Sequence, residues 1–304
     1  MAPLGAIAEP VAARDALARA RLRASLVPDL LVEARRIVST VISGWHGRRK
    51  RGIGENFWQY RPYVEGEAMS RIDWRRSARD DHTYVRDNEW EAAHTVWLWS
   101  DPSPSMLFKS SLTSVSKESR ALVLALALAE LLARSGERIG WPGLTDPITA
   151  RNAAERLAER LIHAPDLPGK PDFTMIRRFS DIVIVSDFLD PVEDMRAWLE
   201  PLAGRGVRAH LIEVCDPAEE QFPYAGRTEF RDPETGEKLR AGRAEAFRDD
   251  YAALYRARRD DMAAWARRLG WSYTVNHTDQ LASGALVAVH MAMSEPQALA
   301  GAGR

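Results

Sequence analysis

Hydrophobic positions along this chain follow two regimes. From about residue 92 onward, short apolar runs alternate with longer stretches in which apolar residues recur at helical spacing. The runs predict strands over 95–100, 138–141, 181–186, 207–214 and 271–275; the longer stretches predict helices over 117–135, 152–163, 192–203, 244–269 and 279–293. Strands alternating with helices build parallel βαβ units. The IVIV run at 182–185 is continuously apolar, as a strand covered on both faces should be. The most apolar stretch, ALVLALALA at 121–129, is preceded by Lys117, Glu118 and Arg120 and ended by Glu130. It is too short to span a bilayer and predicts a buried helix. RTEFRDPETGEKLRAG at 227–242 centres a Pro-Glu-Thr-Gly turn between two polar strands, which predicts an exposed hairpin insertion.

Before residue 92 the pattern weakens. Residues 1 to about 20 are Ala/Arg-rich and predict a loose or fraying helix, whereas 26–42 has the apolar spacing of a packed one. HGRRKRGIGENF reads as a flexible basic loop. Residues 57–90 are dense in aromatics and arginines with poor periodicity, so short strands in irregular structure are expected, with Trp58 and Trp74 as core anchors. The expected division is an N-terminal helical segment (1–43), an aromatic, Arg-rich region (44–91) and an α/β domain (92–304).

Composition narrows the class. The 304 residues are 45% hydrophobic and 28% charged, which fits a folded globular chain and excludes global disorder. The net charge of -1 does not mark a nucleic-acid or membrane-surface binder, and the basic HGRRKRG cluster reads as a solvated loop. A single cysteine, Cys215, allows no intramolecular disulfide and suits a reducing compartment. The N-terminus lacks the basic start and apolar core of a signal peptide, so a cytoplasmic protein without a membrane anchor is expected.

Candidate chemistry lies at strand ends. VWLWS runs into Asp101, within DPSPSM, and DIVIVS runs into Asp187. In open α/β sheets ligands bind beyond the carboxyl ends of strands, near the point where strand order reverses. Both carboxylates should therefore emerge at one edge. Asp101, Ser103 and Ser105, at alternate positions in a loop, can turn three oxygens toward one point, and Asp187 adds a second anion. Hard oxygen ligands suit Mg²⁺, or Mn²⁺ at similar geometry. The competing reading is an Asx-turn with a serine capping the next helix. The second strand ending in Asp favours the metal.

DPSPSM after an apolar strand resembles the metal-ion-dependent adhesion site of von Willebrand factor A domains. The upstream stretch ENFWQYRPYVEGEAMSRIDWRRSARDDHTYVRDNEWE resembles the signature of the DUF58 family, through Phe57, Arg61, Tyr63, Gly66, Arg71, Ile72, Asp73, Trp74, Ser77, Ala78 and Arg79. GERIG at 136–140 and the later EFRDPETGE also fit. The resemblance implies a doubly wound, mostly parallel sheet of von Willebrand A or Rossmann-like type, with a smaller, irregular, partly β N-terminal region. It also implies an adaptor that works with a MoxR-type AAA+ ATPase on client proteins, with no established catalysis. The wider superfamily adds a threonine from another loop to the metal; Thr145 and Thr149 are the candidates, and Thr149 is taken into the site.

Arg61, Arg71, Arg75 and Arg79 offer a partner-docking surface, or an ion-pair network with Asp73, Asp80 and Asp81. Cys215 has no nearby histidine in sequence; His210, in the same predicted strand, points to the other face, so a buried structural thiol is expected. A Mg²⁺-dependent phosphohydrolase using the same carboxylates is the alternative function, but there is no Gly-rich phosphate loop and no lysine placed for phosphate.

Overall fold

The computed structural model describes residues 8–45, 57–64, 69, 72–79, 82–88, 94–164, 167 and 169–294. By contacts, these form two compact units, one of residues 1–44 with 95–304 and one of residues 45–94.

The larger unit begins with α1 (Ala8–Trp45), longer than the helix expected over 26–42. Val27, Leu30, Ala34, Val38 and Val41 recur at three- and four-residue spacing and are buried along one stripe. Polar ties fix the helix: Arg23 pairs with Glu118 at 3.3 Å, and Arg35 pairs with Glu130 and Glu155.

The smaller unit is a two-stranded antiparallel hairpin, β1 (Phe57–Pro62) with β2 (Tyr84–Asn88), joined by a segment carrying the short helix α2 (Trp74–Ser77). Asp73 caps α2 by accepting the Arg76 N–H at 2.9 Å. Ile72 bridges to Val85, and both are buried. Trp74 is 65% exposed and so is not a core anchor. It sits at the first position of a single-turn helix; the side chain of Trp58 lies outside the described residues.

The central sheet of the larger unit contains β3 (Thr95–Ser100), β4 (Arg138–Trp141), β5 (Thr145–Ile148), β6 (Asp181–Ser186), β7 (Arg208–Cys215) and β10 (Ser272–His277). Their order across the sheet is β10-β7-β6-β3-β4-β5. All neighbours are parallel except β5, which runs antiparallel to β4. The chain steps outward from β3 to β5, returns to place β6 against the other side of β3, then steps outward again. The reversal point therefore lies between β3 and β6.

Helices cover the sheet: α3 (Lys117–Arg134), α4 (Ala153–His163), α5 (Val192–Gly204), α7 (Arg248–Arg268) and α8 (Ser283–Ser294), with the single turn α6 (Pro217–Gln221) after β7. α3 packs on α4 and α8, and α5 packs on α7. This is the doubly wound, mostly parallel α/β class expected. α3 is buried nearly all round because helices and sheet enclose it, which is why its sequence is almost uninterrupted apolar. Asp181–Ser186 is buried along its whole length, as IVIV predicted. The hairpin insertion is present as β8 (Thr228–Arg231) and β9 (Lys238–Ala241), paired only with each other.

Candidate functional site

The reversal between β3 and β6 brings the two strand-end aspartates together. The Asp101 N–H still donates to Val185 O at 2.9 Å, so pairing persists one residue past the end of β3 before the chains part. Beyond it the loop turns on its own side chains. Asp101 Oδ1 accepts the Ser103 N–H at 2.9 Å, an Asx-turn, and Pro104 opens a short 3-10 turn, Pro104–Leu107. The Asx-turn reading and the shared-site reading thus describe the same loop: the turn is what aims the serines.

Five oxygen-bearing side chains form two sets of hydrogen bonds, Ser103–Ser105–Asp187 and Ser186–Asp101. Ser105 Oγ donates to Asp187 Oδ2 at 2.7 Å. Its only proton is then committed, so the 3.1 Å contact with Ser103 is donated by Ser103 Oγ. Ser186 Oγ donates to Asp101 Oδ2 at 2.6 Å. Burial pushes the Asp101 carboxyl above its usual range; the hydrogen bonds from Ser186 and the Ser103 backbone oppose this, and the nearby charge of Asp187 adds to it.

Asp187 is aimed by a strained backbone. Phe188, next to it, is buried at φ 48°, in the left-handed region that a β-carbon disfavours. Arg258 holds that turn by donating to Phe188 O at 2.5 Å and Asp187 O at 3.3 Å, while pairing with fully buried Glu213 at 3.0 Å.

Two charged residues that sequence reasoning passed over enter the site. Lys117 is the first residue of α3, 1% exposed, with Nζ 2.8 Å from Asp187 Oδ2 and 2.5 Å from Glu219 Oε1. Burial alone would lower its pKa, but the charges of Asp187 and Glu219 outweigh burial and hold it above the usual lysine value. Glu219 is nonetheless pushed above the carboxylate range. Both move upward, which favours charge on Lys117 and disfavours it on Glu219: Lys117 draws on two carboxylates, whereas the burial of Glu219, with the charge of Asp187 beside it, outweighs its one ammonium and the Asp216 N–H. Helix α3 starts directly beneath the loop and so brings a lysine into the site, already paired with two carboxylates. Glu219 belongs to a capping box with Asp216 at the start of α6, and Asp216 Oδ2 in turn accepts the Ser110 N–H at 2.9 Å.

The site opens into a cavity of about 820 Å³. One wall is aromatic, with Trp99, Trp198, Phe222 and Tyr251; the hairpin tip contributes Asp232 and Glu234. Glu234 Oε1 accepts the Ser105 N–H at 2.9 Å, across 129 residues of chain. Asp232 organises that tip by accepting from Glu234 N and Thr235 Oγ, both at 2.8 Å.

Asp101, Ser103, Ser105 and Asp187 are therefore brought together, and Thr149 is not. Thr149 follows β5, whose Ile148 pairs with Ile139 near the start of β4. Its level in the sheet is that of Thr95, at the beginning of β3, about 20 Å along the strand from Asp101 at roughly 3.3 Å per residue. β5 reverses direction, which carries its end to the wrong edge. The loop between α4 and β6 instead gives Gly169 and Lys170 to the cavity. Of the arginines expected to dock a partner, Arg75 and Arg79 are exposed; Arg71 and the side chain of Arg61 lie outside the described residues, as does the basic cluster at 46–52.

The oxygen set can be tested against a divalent ion. Adjacent ligands of octahedral Mg²⁺, at bonds of about 2.1 Å, are about 3.0 Å apart. Ser103 Oγ, Ser105 Oγ and Asp187 Oδ2 have successive spacings of 3.1 and 2.7 Å, close to that edge length. These spacings are those of the hydrogen bonds that join the three; what suits such an ion is the chemistry of the set, two hydroxyls and the carboxylates of Asp101 and Asp187.

A second cluster lies farther along the same sheet edge. Cys215 and His277 are paired across β7 and β10, and with Glu220 their ligand atoms fall within 4.8 Å of one another. Cys215 thus does have a histidine beside it, delivered by a strand distant in sequence. Its thiol is pushed up to about 12 by burial, and Arg259 already pairs with Glu220.

The chain is thus a doubly wound α/β protein with an oxygen-rich pocket at the reversal point of its sheet. The chain belongs to the DUF58 family: "Protein of unknown function DUF58" matches residues 59–261. Among similar proteins, "Uncharacterized protein Rv1480" of Mycobacterium tuberculosis is 28% identical over 259 residues, covering 79% of this chain and 80% of the relative. "Uncharacterized protein MAV169" of Mycobacterium avium is 31% identical over 150 residues, covering 49% of this chain and 84% of the relative. Among solved structures, an aerotolerance-related membrane protein from Bacteroides fragilis is similar at 16% identity and TM-score 0.37, covering 66% of this chain and 98% of that one. BatB from Bacteroides thetaiotaomicron has the same coverage and identity at TM-score 0.35. No helix among the described residues of this chain is long and apolar enough to cross a membrane.

Proposed function

We propose that this chain is a non-enzymatic, metal-dependent interaction adaptor. Asp101, Ser103, Ser105 and Asp187 would hold Mg²⁺ or Mn²⁺, and the ion would leave a position for an acidic side chain of a partner protein. Bound there, the metal supplies a fixed positive charge; the chain's own residues orient it and exclude bulk water from one side. The partner implied by the family resemblance is a MoxR-type AAA+ ATPase acting on client proteins, with the exposed arginines of the DUF58 signature region as a second docking surface. The observation that carries this reading is the convergence of four oxygens from two separate strand ends on one cluster. Glu234 supports the acidic-partner half, since a carboxylate already rests on the Ser105 N–H. The lysines lining the cavity weigh against the phosphohydrolase alternative. Lys117 and Lys170 are each paired with carboxylates, so neither offers the uncommitted positive charge that a phosphohydrolase sets against its substrate's phosphate.

The test is capture of a purified MoxR-type AAA+ ATPase by this chain in Mg²⁺ and in EDTA. Capture should occur in Mg²⁺, fail in EDTA and fail for Asp101→Ala, with the mutant's circular dichroism unchanged. Equal capture by a folded Asp101→Ala would sink the metal bridge.

A further inference from the structure

We propose that Lys117 is a resident cation of the strand-end site, which competes with a divalent metal for Asp187 and keeps the intrinsic metal affinity low. The inference rests on the metal reading above and adds a regulator to it. The ammonium lies 2.8 Å from Asp187 Oδ2, the same oxygen that receives the Ser105 hydroxyl and stands among the proposed metal ligands. A divalent ion on that oxygen would meet a like charge within the same buried pocket, where solvent screens little.

Lys117 is not free to swing away. Its N–H is tied to Phe108 O at 3.2 Å, Ser116 caps the helix it begins, and its Nζ sits 5.7 Å from the centre of the Phe108 ring. Glu219, the second anchor, is fixed by its capping box. The ammonium therefore neutralises Asp187 when no metal is present. A partner carboxylate, by adding negative charge at the site, would tilt this competition toward the metal and couple metal binding to partner binding.

Titration calorimetry with Mn²⁺ alone, on the full chain, tests the competition. Lys117→Met should bind Mn²⁺ at least tenfold more tightly than the wild type, and adding Asp187→Asn should abolish that binding. Because Lys117→Met leaves Glu219 buried without its partner and can compromise folding, Lys117→Met/Glu219→Gln provides the same comparison with both partners neutral, and it too should exceed the wild type. Equal Mn²⁺ affinity in the wild type and both Lys117 variants, lost with Asp187→Asn, would overturn the competition and leave the metal site standing. Tighter binding that survives Asp187→Asn would place the ion on Glu219 and overturn the inference. No Mn²⁺ binding in any variant would remove the metal reading itself, and the inference with it.

Discussion

At Gly140 a side chain has nowhere to go: a β-carbon there would lie 2.7 Å from the Trp97 ring, which packs across from the neighbouring strand. Gly136, four residues earlier, sits at φ 86° just past α3, and the Glu137 N–H closes the helix by donating to Leu132 O. The GERIG motif is thus a helix stop followed by a strand that makes room for a tryptophan. Gly140→Ala should lower unfolding free energy by about 1–3 kcal/mol in urea titration, with Gly136→Ala costing about 1 kcal/mol. Cys215 gives a chemical prediction at the same scale. Burial raises its thiol from 9.0 to about 12. The native state then holds the proton more tightly than the unfolded state between those values, so this group's contribution to stability is fully present below pH 9 and is lost as pH rises toward 12. At pH 8 the native thiol should resist a thiol-reactive disulfide reagent and react promptly once denaturant is added. Prompt native reaction would show the thiol is accessible.

Among the elements, α1 depends on a stripe of small and branched apolar residues and on one buried ion pair. Arg23 and Glu118 have side chains 4% and 9% exposed. Removing one partner strands the other without water, so Arg23→Ala should cost about 3 kcal/mol. Arg23→Met/Glu118→Leu should recover most of it, because apolar replacement of both charges avoids an unpaired buried group. Equilibrium denaturation of the two variants separates these outcomes. The end of β6 has a similar logic: the Phe188 backbone strain is held by Arg258, so the direction in which Asp187 points is set by an arginine seventy residues away in sequence.

For the whole molecule, the two compact units divide the proposed work. The α/β unit carries the strand-end site, and the smaller unit carries exposed Arg75 and Arg79. If those arginines dock the ATPase, Arg75→Ala/Arg79→Ala should weaken its capture severalfold, while the unfolding free energy moves by no more than about 0.5 kcal/mol, as expected for exposed surface positions. Unchanged capture would confine recognition to the α/β unit.

Local pattern was enough to find the sheet strands, the long helices, the hairpin insertion and the two aspartates at strand ends, because periodicity and abrupt polarity changes are written in consecutive residues. It missed β5, whose TDPI contains a proline tolerated only because β5 is an edge strand. That omission also misplaced Thr149, since a strand that reverses direction carries its end to the opposite side of the sheet. Nothing in the residues around Lys117, Glu219, Glu234 or His277 marks them as members of a site. Only tertiary structure could assign them, because each acts on a partner far along the chain through strand order, crossover handedness and the reach of a hairpin. The sequence by itself determined which side chains stand at the strand ends. The order of strands around β3 decided which of them meet, and folding decided that a lysine meets them too.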